Sequence, residues 1–320
     1  MIYKRSNRID IALDKTDIML SLILLANSRT PYHELADKLG LSINAVHKRI
    51  KAMTEVGIIR AYTARINLAM FKALSIWIFG RSEVRPFDEV HLRLQNNDST
   101  YWVAYSGGGH IYVGAYIQEI AQLEQYVTFV KKETQMVDPV VGILSPPPTF
   151  LLPFQNEKFY PLDYKIIRAL QKDAKKPVLE VANELGVSTK VVQRHLKKLM
   201  EKNLVELSIE WYPDASNDIM SICHLQLTTS ADKEKLSISL MEEFAPNLLF
   251  CISFSNLPDL LICFLWTNTM KELKGIRERL GKVEGVESTI LNVLYTGFIF
   301  DTWRDKLVIE KSSQGKDRSN

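Results

Sequence analysis

Apolar and polar positions near the start of the chain follow the spacing of three short helices. Apolar residues recur at helical spacing over residues 17–26, which predicts a first helix. A second helix begins at Pro31, whose missing N–H costs nothing in a first turn, and ends at Gly40, which suits a left-handed C-terminus. Ser42 then provides the N-cap of a third helix. Helix, glycine turn and capped helix together are the pattern of a helix-turn-helix motif.

The same pattern occurs a second time, 146 residues further along the chain. Residues 17–60 laid over residues 163–206 need no gap and share 11 identities in 44 positions. The helix-starting proline, the turn glycine and the capping serine are repeated as Pro177, Gly186 and Ser188. One module is therefore used twice.

A strand-rich region follows each helical trio, and both regions predict the element order β-α-β-β-α-β, which is ferredoxin-like. The chain is therefore predicted to be an α+β protein with two winged helix-turn-helix domains, each followed by a ferredoxin-like domain. In the first copy the strands are predicted near 74–80, 101–105, 111–116 and 137–144, with helices near 87–95 and 120–132. In the second copy the strands are predicted near 222–227, 248–254, 260–266 and 287–295, with helices near 233–244 and 270–281.

A proline-rich segment separates the two copies, and a polar segment follows the second. Residues 145–153 contain four prolines, which predicts a semi-rigid linker rather than a helix or a central strand. Residues 311–320 are polar and aperiodic, which predicts a disordered tail. The predicted domains are a first winged helix-turn-helix (1–65), a first ferredoxin-like domain (66–145), the linker (146–158), a second winged helix-turn-helix (159–212), a second ferredoxin-like domain (213–303) and a polar C-terminal tail (304–320).

The third helix of each copy has an apolar stripe and a polar, basic face. A helical wheel places Val46, Ile50 and Met53 on the buried side of the first copy, and the outward positions correspond one to one between copies. A recognition helix in a DNA major groove has such a face, because Asn, Gln, Lys and Arg suit base edges and phosphates. The alternative is a solvated helix face without a ligand. The candidate DNA-binding residues are Ser42, Asn44, His47, Lys48, Lys51, Ser188, Lys190, Gln193, Arg194 and Lys197.

Two flanking features agree with a double-stranded DNA partner. The N–H groups that begin each second helix are predicted to seat a phosphate, helped by Arg29 in the first copy and by Lys175 and Lys176 in the second. Residues 58–65 and 204–211 resemble wing strands. Only the first wing is basic, so we expect the two heads to bind DNA unequally.

Length and charge restrict the classes of function. The 320 residues include 40 basic and 37 acidic side chains, a formal net charge of +3. A protein that coats nucleic acid by bulk positive charge is excluded, so DNA binding must rest on local patches. The longest apolar stretches, 74–79 and 260–266, are too short to span a bilayer, and residues 1–10 lack the apolar core of a signal peptide. We therefore expect a cytoplasmic protein with no membrane partner.

Three cysteines, Cys223, Cys251 and Cys263, lie in the second half of the chain. None forms a CxxC pair and their number is odd, which favours buried free thiols over a disulfide framework or a metal site. The sequence has no P-loop, HExxH, GxSxG or paired metal-ligand spacing. It therefore predicts no metal, no cofactor and no catalytic residues.

The two copies resemble the Lrp/AsnC (leucine-responsive, or feast/famine) family of transcription regulators. The resemblance implies a winged helix-turn-helix followed by a ferredoxin-like effector and oligomerisation domain, here as an intramolecular pseudo-dimer of two fused copies. The matching motifs are LDKTD (13–17), ELADKLGLS (34–42), VHKRI (46–50) and GII (57–59) in the first copy, and LD (162–163), EVANELGVS (180–188) and VQRHL (192–196) in the second.

The family resemblance also implies a place for a small effector such as an amino acid. In the family, effectors bind near the loop between the second and third strands of the ferredoxin-like domain. The equivalent residues here are 106–110 and 255–259, and the candidate effector-binding residues are Gly107, Gly108, Gly109, His110 and Asp259. The alternative is a hairpin turn that needs glycine for positive φ.

Three functions are open at this point. The main hypothesis is a non-enzymatic, sequence-specific DNA-binding transcription regulator, whose chain self-associates into a dimer or a larger homo-oligomer. The second is a tetrapyrrole (siroheme-type) decarboxylase, because some such enzymes resemble the same family. The third is an architectural or interaction module without specific DNA binding. The enzyme hypothesis requires clustered side chains in a common cleft, and the candidates are His91, Arg93, Tyr101, Tyr105, His110 and Tyr112.

Overall fold

The computed structural model describes residues 12–145 and 157–314. The predicted linker therefore falls almost wholly outside the described residues, as do residues 1–11 and 315–320. In the first half the elements are α1 (Lys15–Ala26), α2 (Tyr32–Leu39), α3 (Ile43–Glu55), β1 (Ile59–Ile66), β2 (Leu74–Ser82), α4 (Val90–Leu94), β3 (Thr100–Ser106), β4 (His110–Ile117), α5 (Leu123–Thr134) and β5 (Met136–Ile143). In the second half they are α6 (Pro161–Leu170), α7 (Val178–Leu185), α8 (Thr189–Glu201), β6 (Val205–Trp211), β7 (Ile219–Leu227), α9 (Lys233–Phe244), β8 (Leu248–Ser253), β9 (Leu260–Thr267), α10 (Met270–Leu280), β10 (Val286–Ile299) and α11 (Trp303–Ser313).

Both helical trios form as the sequence predicts, because their boundaries are set by local chemistry. The helices α2 and α7 end at Gly40 and Gly186, each with a φ of +64° in the left-handed region. The hydroxyl of Ser42 caps α3 by accepting the N–H of Ala45. Ser188 caps α8 in the same way, so the predicted α+β module with its helix-turn-helix is confirmed in both halves.

The two wing strands do not project separately from their heads. Strand β1 pairs antiparallel with β6, with Ile66 opposite Val205 and Ile59 opposite Trp211. Strand β1 also fills the apolar core of the second head, through Ala64 among other residues. The two predicted wing strands therefore form, and they join the two heads through a shared two-stranded sheet.

The remaining eight strands form one antiparallel sheet in the order β5-β2-β4-β3-β10-β7-β9-β8. Strand β10 joins the two halves, because residues 286–293 pair with β7 and residues 294–299 pair with β3. The outermost strands also meet, where Leu144 and Phe254 form a bridge. The inner faces of the two half-sheets therefore enclose a buried apolar layer, which we call the inter-sheet space. It contains Trp77, Phe79, Ala104, Tyr112, Ile222, Phe254 and Ile262.

The predicted polar tail is wrong at its start, because residues 303–313 form the helix α11. Arg304 and Asp305 are both buried there, since the charge of each is met by partners on the wing strands. Val308 packs in the core of the second head. Ion pairs with residues distant in the sequence thus compensate for the burial of charged side chains in this polar segment. No helix within the described ranges is long and apolar enough to cross a membrane.

Candidate functional site

The exposed sides of α3 and α8 carry all ten predicted DNA-binding residues, and every one of them is solvent-exposed. We call these two sides the recognition faces. Ser42 and Ser188 also cap their helices, and His47 makes an edge contact with the ring of Tyr32. Lys51 and Lys197 each lie near a glutamate one turn further along their helix, 3.8 and 3.7 Å away. Such exposed pairs are weak, so the cationic groups remain free to meet an anion.

The predicted phosphate seat of the first head is built partly from the second head. Arg29 is engaged internally, because its Nη1 donates to the carbonyl oxygens of Ala174 and Lys176 at 2.6 and 3.2 Å. Lys175 instead reaches the N-terminus of α2, where its Nζ lies over the rings of Tyr32 and Tyr62. Burial lowers the pKa of Lys175 to about 8. The first seat therefore includes Lys175 of the second head, while the Arg29 guanidinium is hydrogen-bonded to carbonyl oxygens of that head.

The predicted effector-binding loops are tight connections between strands. Gly108 and Gly109 have φ of +70° and +76°, which only glycine adopts without strain, so the hairpin interpretation accounts for them. Asp259 lies in the β8–β9 connection and accepts a hydrogen bond from Gln226 Nε2 at 2.7 Å. Effector binding at these loops remains a prediction.

The six residues of the enzyme hypothesis do not face one cleft. His91 and Tyr105 lie on the helix-covered face of the sheet, where the Tyr105 hydroxyl accepts the backbone N–H of His91 at 2.7 Å. Arg93 lies 3.8 Å from Glu133 on that side. Tyr101, His110 and Tyr112 lie on the inter-sheet face. The expectation of one common cleft is therefore wrong for half of the candidates.

The inter-sheet face brings together a polar cluster that neither copy contains alone. We call His110, Tyr112, His224 and Asn292 the inter-sheet cluster. The Tyr112 hydroxyl lies 2.8 Å from His224 Nε2 and accepts a hydrogen bond from Asn292 Nδ2, also at 2.8 Å. The rings of His110 and His224 are 6.2 Å apart. His224 is isolated in the sequence, because Tyr112 and His110 come from the other half of the chain.

Burial fixes the protonation states of this cluster. It lowers the pKa of His224 to about 4, with a further contribution from the charge of His110, so the imidazole is neutral at pH 7. Burial raises the pKa of Tyr112 well above its usual range, so the phenol keeps its proton. The Tyr112 hydroxyl therefore accepts from Asn292 Nδ2 and shares its second hydrogen bond with the neutral His224 imidazole. The pair is a neutral donor and acceptor held in fixed positions.

A cavity of about 250 Å³ lies at the junction with the heads, and the ring of its wall residue Trp102 is 6.4 Å from that of Tyr112. Its walls are aromatic, and we call it the aromatic cavity. The indole N–H of Trp211 is buried there without a hydrogen-bond partner, while Asp214 accepts from the Thr296 hydroxyl at 2.9 Å. The lining includes Trp77, Tyr101, Trp102, Trp211, Asp214, Met220, Phe250, Phe264, Leu294 and Thr296. A flat, mostly apolar ligand with a hydrogen-bond acceptor suits such walls.

Sequence reasoning missed three residues of this region. His224 and Asn292 lie 112 and 180 residues from Tyr112 along the chain, so no local motif links them. Arg81 is opposite His110 in the β2–β4 pair, which places an exposed cation on the same face. The sequence signal that could have indicated this site is a polar residue within an apolar strand, such as His224 in β7. Across residues 12–145 and 157–314, no three His, Cys, Asp or Glu side chains are grouped to hold a metal ion.

Comparison with known proteins places both heads in one class. A family model described as winged helix-turn-helix DNA-binding matches residues 13–60 and 161–206. Over 55 residues the chain is 51% identical to the HTH-type transcriptional regulator LrpA of Pyrococcus horikoshii, and over 56 residues 41% identical to LrpA of Mycobacterium tuberculosis. The chain carries two helix-turn-helix domains of the Lrp/AsnC type. These matches cover 17% and 18% of this chain and only 39% and 37% of the regulators.

The fold of nearly the whole chain is also found in a solved structure. The siroheme decarboxylase NirDL superposes with a TM-score of 0.59, covering 95% of this chain and 100% of NirDL. The same enzyme in complex with an iron-uroporphyrin III analogue gives a TM-score of 0.58. Sequence identity is 14% in both comparisons, so the likeness establishes the fold. The tandem arrangement of two heads and two ferredoxin-like halves is thus shared with a solved protein.

Proposed function

We propose that the inter-sheet space binds a tetrapyrrole of the siroheme type and removes a carboxyl group from it. The observation that carries this proposal is the inter-sheet cluster, which forms only where the two halves meet. The aromatic cavity beside it offers flat walls for a conjugated ring, and Arg81 offers a cation for a carboxylate. The full-length fold match to a siroheme decarboxylase supports this choice over other chemistry for the same cluster.

Decarboxylation in this site needs a proton donor and a place for the departing electron pair. The bond between the carboxylate carbon and its neighbour breaks, CO₂ leaves, and the conjugated macrocycle accommodates the electron pair. A proton then forms the new C–H bond, so the reaction consumes one proton and needs no oxidant or reductant. Tyr112 is the neutral donor for that proton, His224 and Asn292 hold its hydroxyl in place, and the ring of His110 lies 6.2 Å from that of His224.

The aromatic cavity must widen to admit a complete macrocycle. Its volume of about 250 Å³ lies below the roughly 300–1,000 Å³ of typical ligand pockets. Trp77, Trp102 and Trp211 form much of its wall, so their side chains have to move when the ring enters. Tryptophan emission therefore reports on entry of the ligand.

Titration with iron-uroporphyrin III and with siroheme tests the proposal. We expect a shift of the Soret absorbance that saturates at one equivalent per chain, together with quenching of tryptophan emission. With siroheme, CO₂ and a product lighter by one or more CO₂ units are expected by mass spectrometry. Unchanged spectra for both tetrapyrroles up to high micromolar concentration would dispose of the proposal.

DNA binding is the second candidate function, and the two recognition faces favour it. Each presents exposed basic and amide side chains at equivalent positions on a capped third helix. The pairing of β1 with β6 fixes the relative orientation of the two heads. Two heads held in one orientation suit a pair of half-sites about one helical turn, or a multiple, apart.

Substituting one residue in each recognition face tests this second candidate. Arg194→Ala and Lys48→Ala are each expected to weaken binding to promoter DNA about tenfold and to reduce the salt dependence by about one phosphate contact. Lys282→Ala, an exposed lysine after α10, serves as the matched control and should bind like the parent. Gel shifts over a range of salt concentrations measure this. Equal binding by all four proteins would contradict the DNA-binding function.

A further inference from the structure

The three cysteines of the chain lie side by side on neighbouring strands. Cys223 on β7 is opposite Cys263 on β9, and Cys263 is opposite Cys251 on β8. The Sγ atoms of Cys251 and Cys263 are 3.6 Å apart. Opposite residues in an antiparallel pair have Cα atoms about 4.5–5.5 Å apart, inside the range that a disulfide spans. A bond between these two sulfurs therefore needs rotation of side chains rather than movement of strands.

Only one of the three thiols is open to a reagent. Cys223 and Cys263 are buried, whereas Cys251 is half-buried and lines a groove of about 530 Å³ between α9 and the edge strand β8. Ser237, Ile238 and Met241 form the helix side of this groove. A small solute thus reaches Cys251 first, and reaches Cys263 only through Cys251.

The neighbours of Cys251 favour its thiolate. Hydrogen bonds from the thiol of Cys263 and, less strongly, from Ser237 lower the pKa of Cys251, although burial acts in the opposite direction. The same hydrogen bond, together with burial, raises the pKa of Cys263. Burial raises the pKa of Cys223 to about 12. The accessible thiol is therefore also the one that ionises first, and its neighbour keeps a proton.

We propose that Cys251 is an oxidation site for small hydroperoxides and that Cys263 resolves it, giving a disulfide between β8 and β9. In the first step the Cys251 thiolate attacks a peroxide oxygen. An S–O bond forms, the O–O bond breaks, and water or an alcohol leaves after taking up one proton. In the second step the Cys263 sulfur attacks the sulfenic acid. The S–S bond forms, the S–O bond breaks, and the proton of Cys263 leaves with the hydroxyl as water.

This modification would act on the wall of the aromatic cavity. Phe250 and Ile252, the two neighbours of Cys251 along β8, line both the groove and the aromatic cavity. A disulfide between β8 and β9 would restrict the motion of β8, the strand that carries Phe250 and Ile252. The inference about the thiols does not depend on which ligand the cavity takes, so its test is independent of the proposed function.

Thiol counting on the intact chain after hydrogen peroxide treatment tests the proposal. We expect free thiols, titrated after quenching and denaturation, to fall from three per chain to one, and dithiothreitol to restore all three. Peptide mapping should show a Cys251–Cys263 linkage within single chains. Three thiols remaining after a molar excess of peroxide, or a linkage that includes Cys223, would overturn the proposal.

Three single-cysteine variants separate the roles of the thiols. Cys223→Ser should form the disulfide at the parental rate, since Cys223 lies on the far side of Cys263 from the groove. Cys263→Ser should accumulate a sulfenic acid at Cys251 that dimedone traps. Cys251→Ser should keep both remaining thiols. Loss of the Cys263 thiol in Cys251→Ser at the parental rate would refute the order of steps.

Discussion

The variant Tyr112→Phe is expected to release CO₂ from siroheme at least about 100-fold more slowly than the parent, the usual loss when a positioned proton donor is removed. The substitution removes only the hydroxyl group. This hydroxyl lies 2.8 Å from His224 Nε2 and accepts a hydrogen bond from the Asn292 side-chain amide. The ring remains to fill the inter-sheet space, so tetrapyrrole binding should be retained. Single-turnover release of CO₂ and the absorbance titration, measured on the same preparation, separate chemistry from binding.

Tyr105→Phe is the matched control for this loss. Tyr105 lies on the neighbouring strand β3 and is equally buried, but it faces the helices, where its hydroxyl accepts the N–H of His91. Either variant removes a buried hydroxyl together with its hydrogen bonds, a cost of about 1–3 kcal/mol that thermal unfolding would report. Only Tyr112→Phe should lose activity. A rate like that of the parent in Tyr112→Phe, or the same loss in both variants, would remove Tyr112 from the reaction.

The variant Arg304→Met is expected to lower the free energy of unfolding by about 3 kcal/mol, near the lower limit for breaking a buried ion pair. The Arg304 side chain is 4% exposed, and its Nη1 donates to the Ile66 carbonyl oxygen at 3.0 Å and to Glu206 Oε2 at 2.8 Å. One residue of α11 thus holds both wing strands. We expect a cost near the lower limit because the Glu206 side chain is one-third exposed and can be solvated after the change. Asp305 also keeps its ion pair with Arg65.

Arg279→Met controls for loss of an arginine from an exposed ion pair. Arg279 lies 2.9 Å from Glu243, and both side chains are at least half exposed, so the change should cost less than about 1 kcal/mol. Urea unfolding of both variants at pH 7 provides the comparison. Similar midpoints for the two variants would show that α11 does not hold the wing strands to the rest of the chain.

Acid unfolding gives a second measure of the same network. Burial acts to raise the pKa of Asp305, but the charges of Arg65 and Arg304 and the Thr302 N–H outweigh it and hold the pKa below its ordinary value. The unfolded chain therefore binds this proton more readily, and the stability that Asp305 contributes above its unfolded pKa is lost as pH falls through the folded value. In Arg304→Met this acid-dependent part of the stability should shrink.

The helical heads could be predicted because their boundaries depend on neighbours in sequence. A glycine at the left-handed end of α2 and a serine at the start of α3 each act within three or four residues. The β-α-β-β-α-β order of elements along each half was also predicted, since the apolar spacing of each element is a property of its own residues. The start of the predicted tail was wrong because the charges of Arg304 and Asp305 are neutralised by residues about 100 and 240 positions away.

The inter-sheet cluster could not be predicted, because its members lie on strands from opposite halves. The pairing of β3 with β10 brings His224 and Asn292 to Tyr112. That contact depends on residues 294–299 of β10, and the predicted strand ended at residue 295. The contact between Cys251 and Cys263 could not be predicted for the same reason. It depends on the register of β8 against β9, which only the folded sheet fixes.

The sequence by itself determined that one helix-turn-helix module occurs twice, where its capping residues lie and which side chains its third helices expose. These features depend on backbone and side-chain chemistry within one or two turns, which a linear chain specifies directly. Only the tertiary structure decided that the wing strands pair with each other, that α11 is buried and that a polar cluster forms between the halves. Those features depend on contacts between residues about 100 or more positions apart, whose energies exist only once the two halves meet.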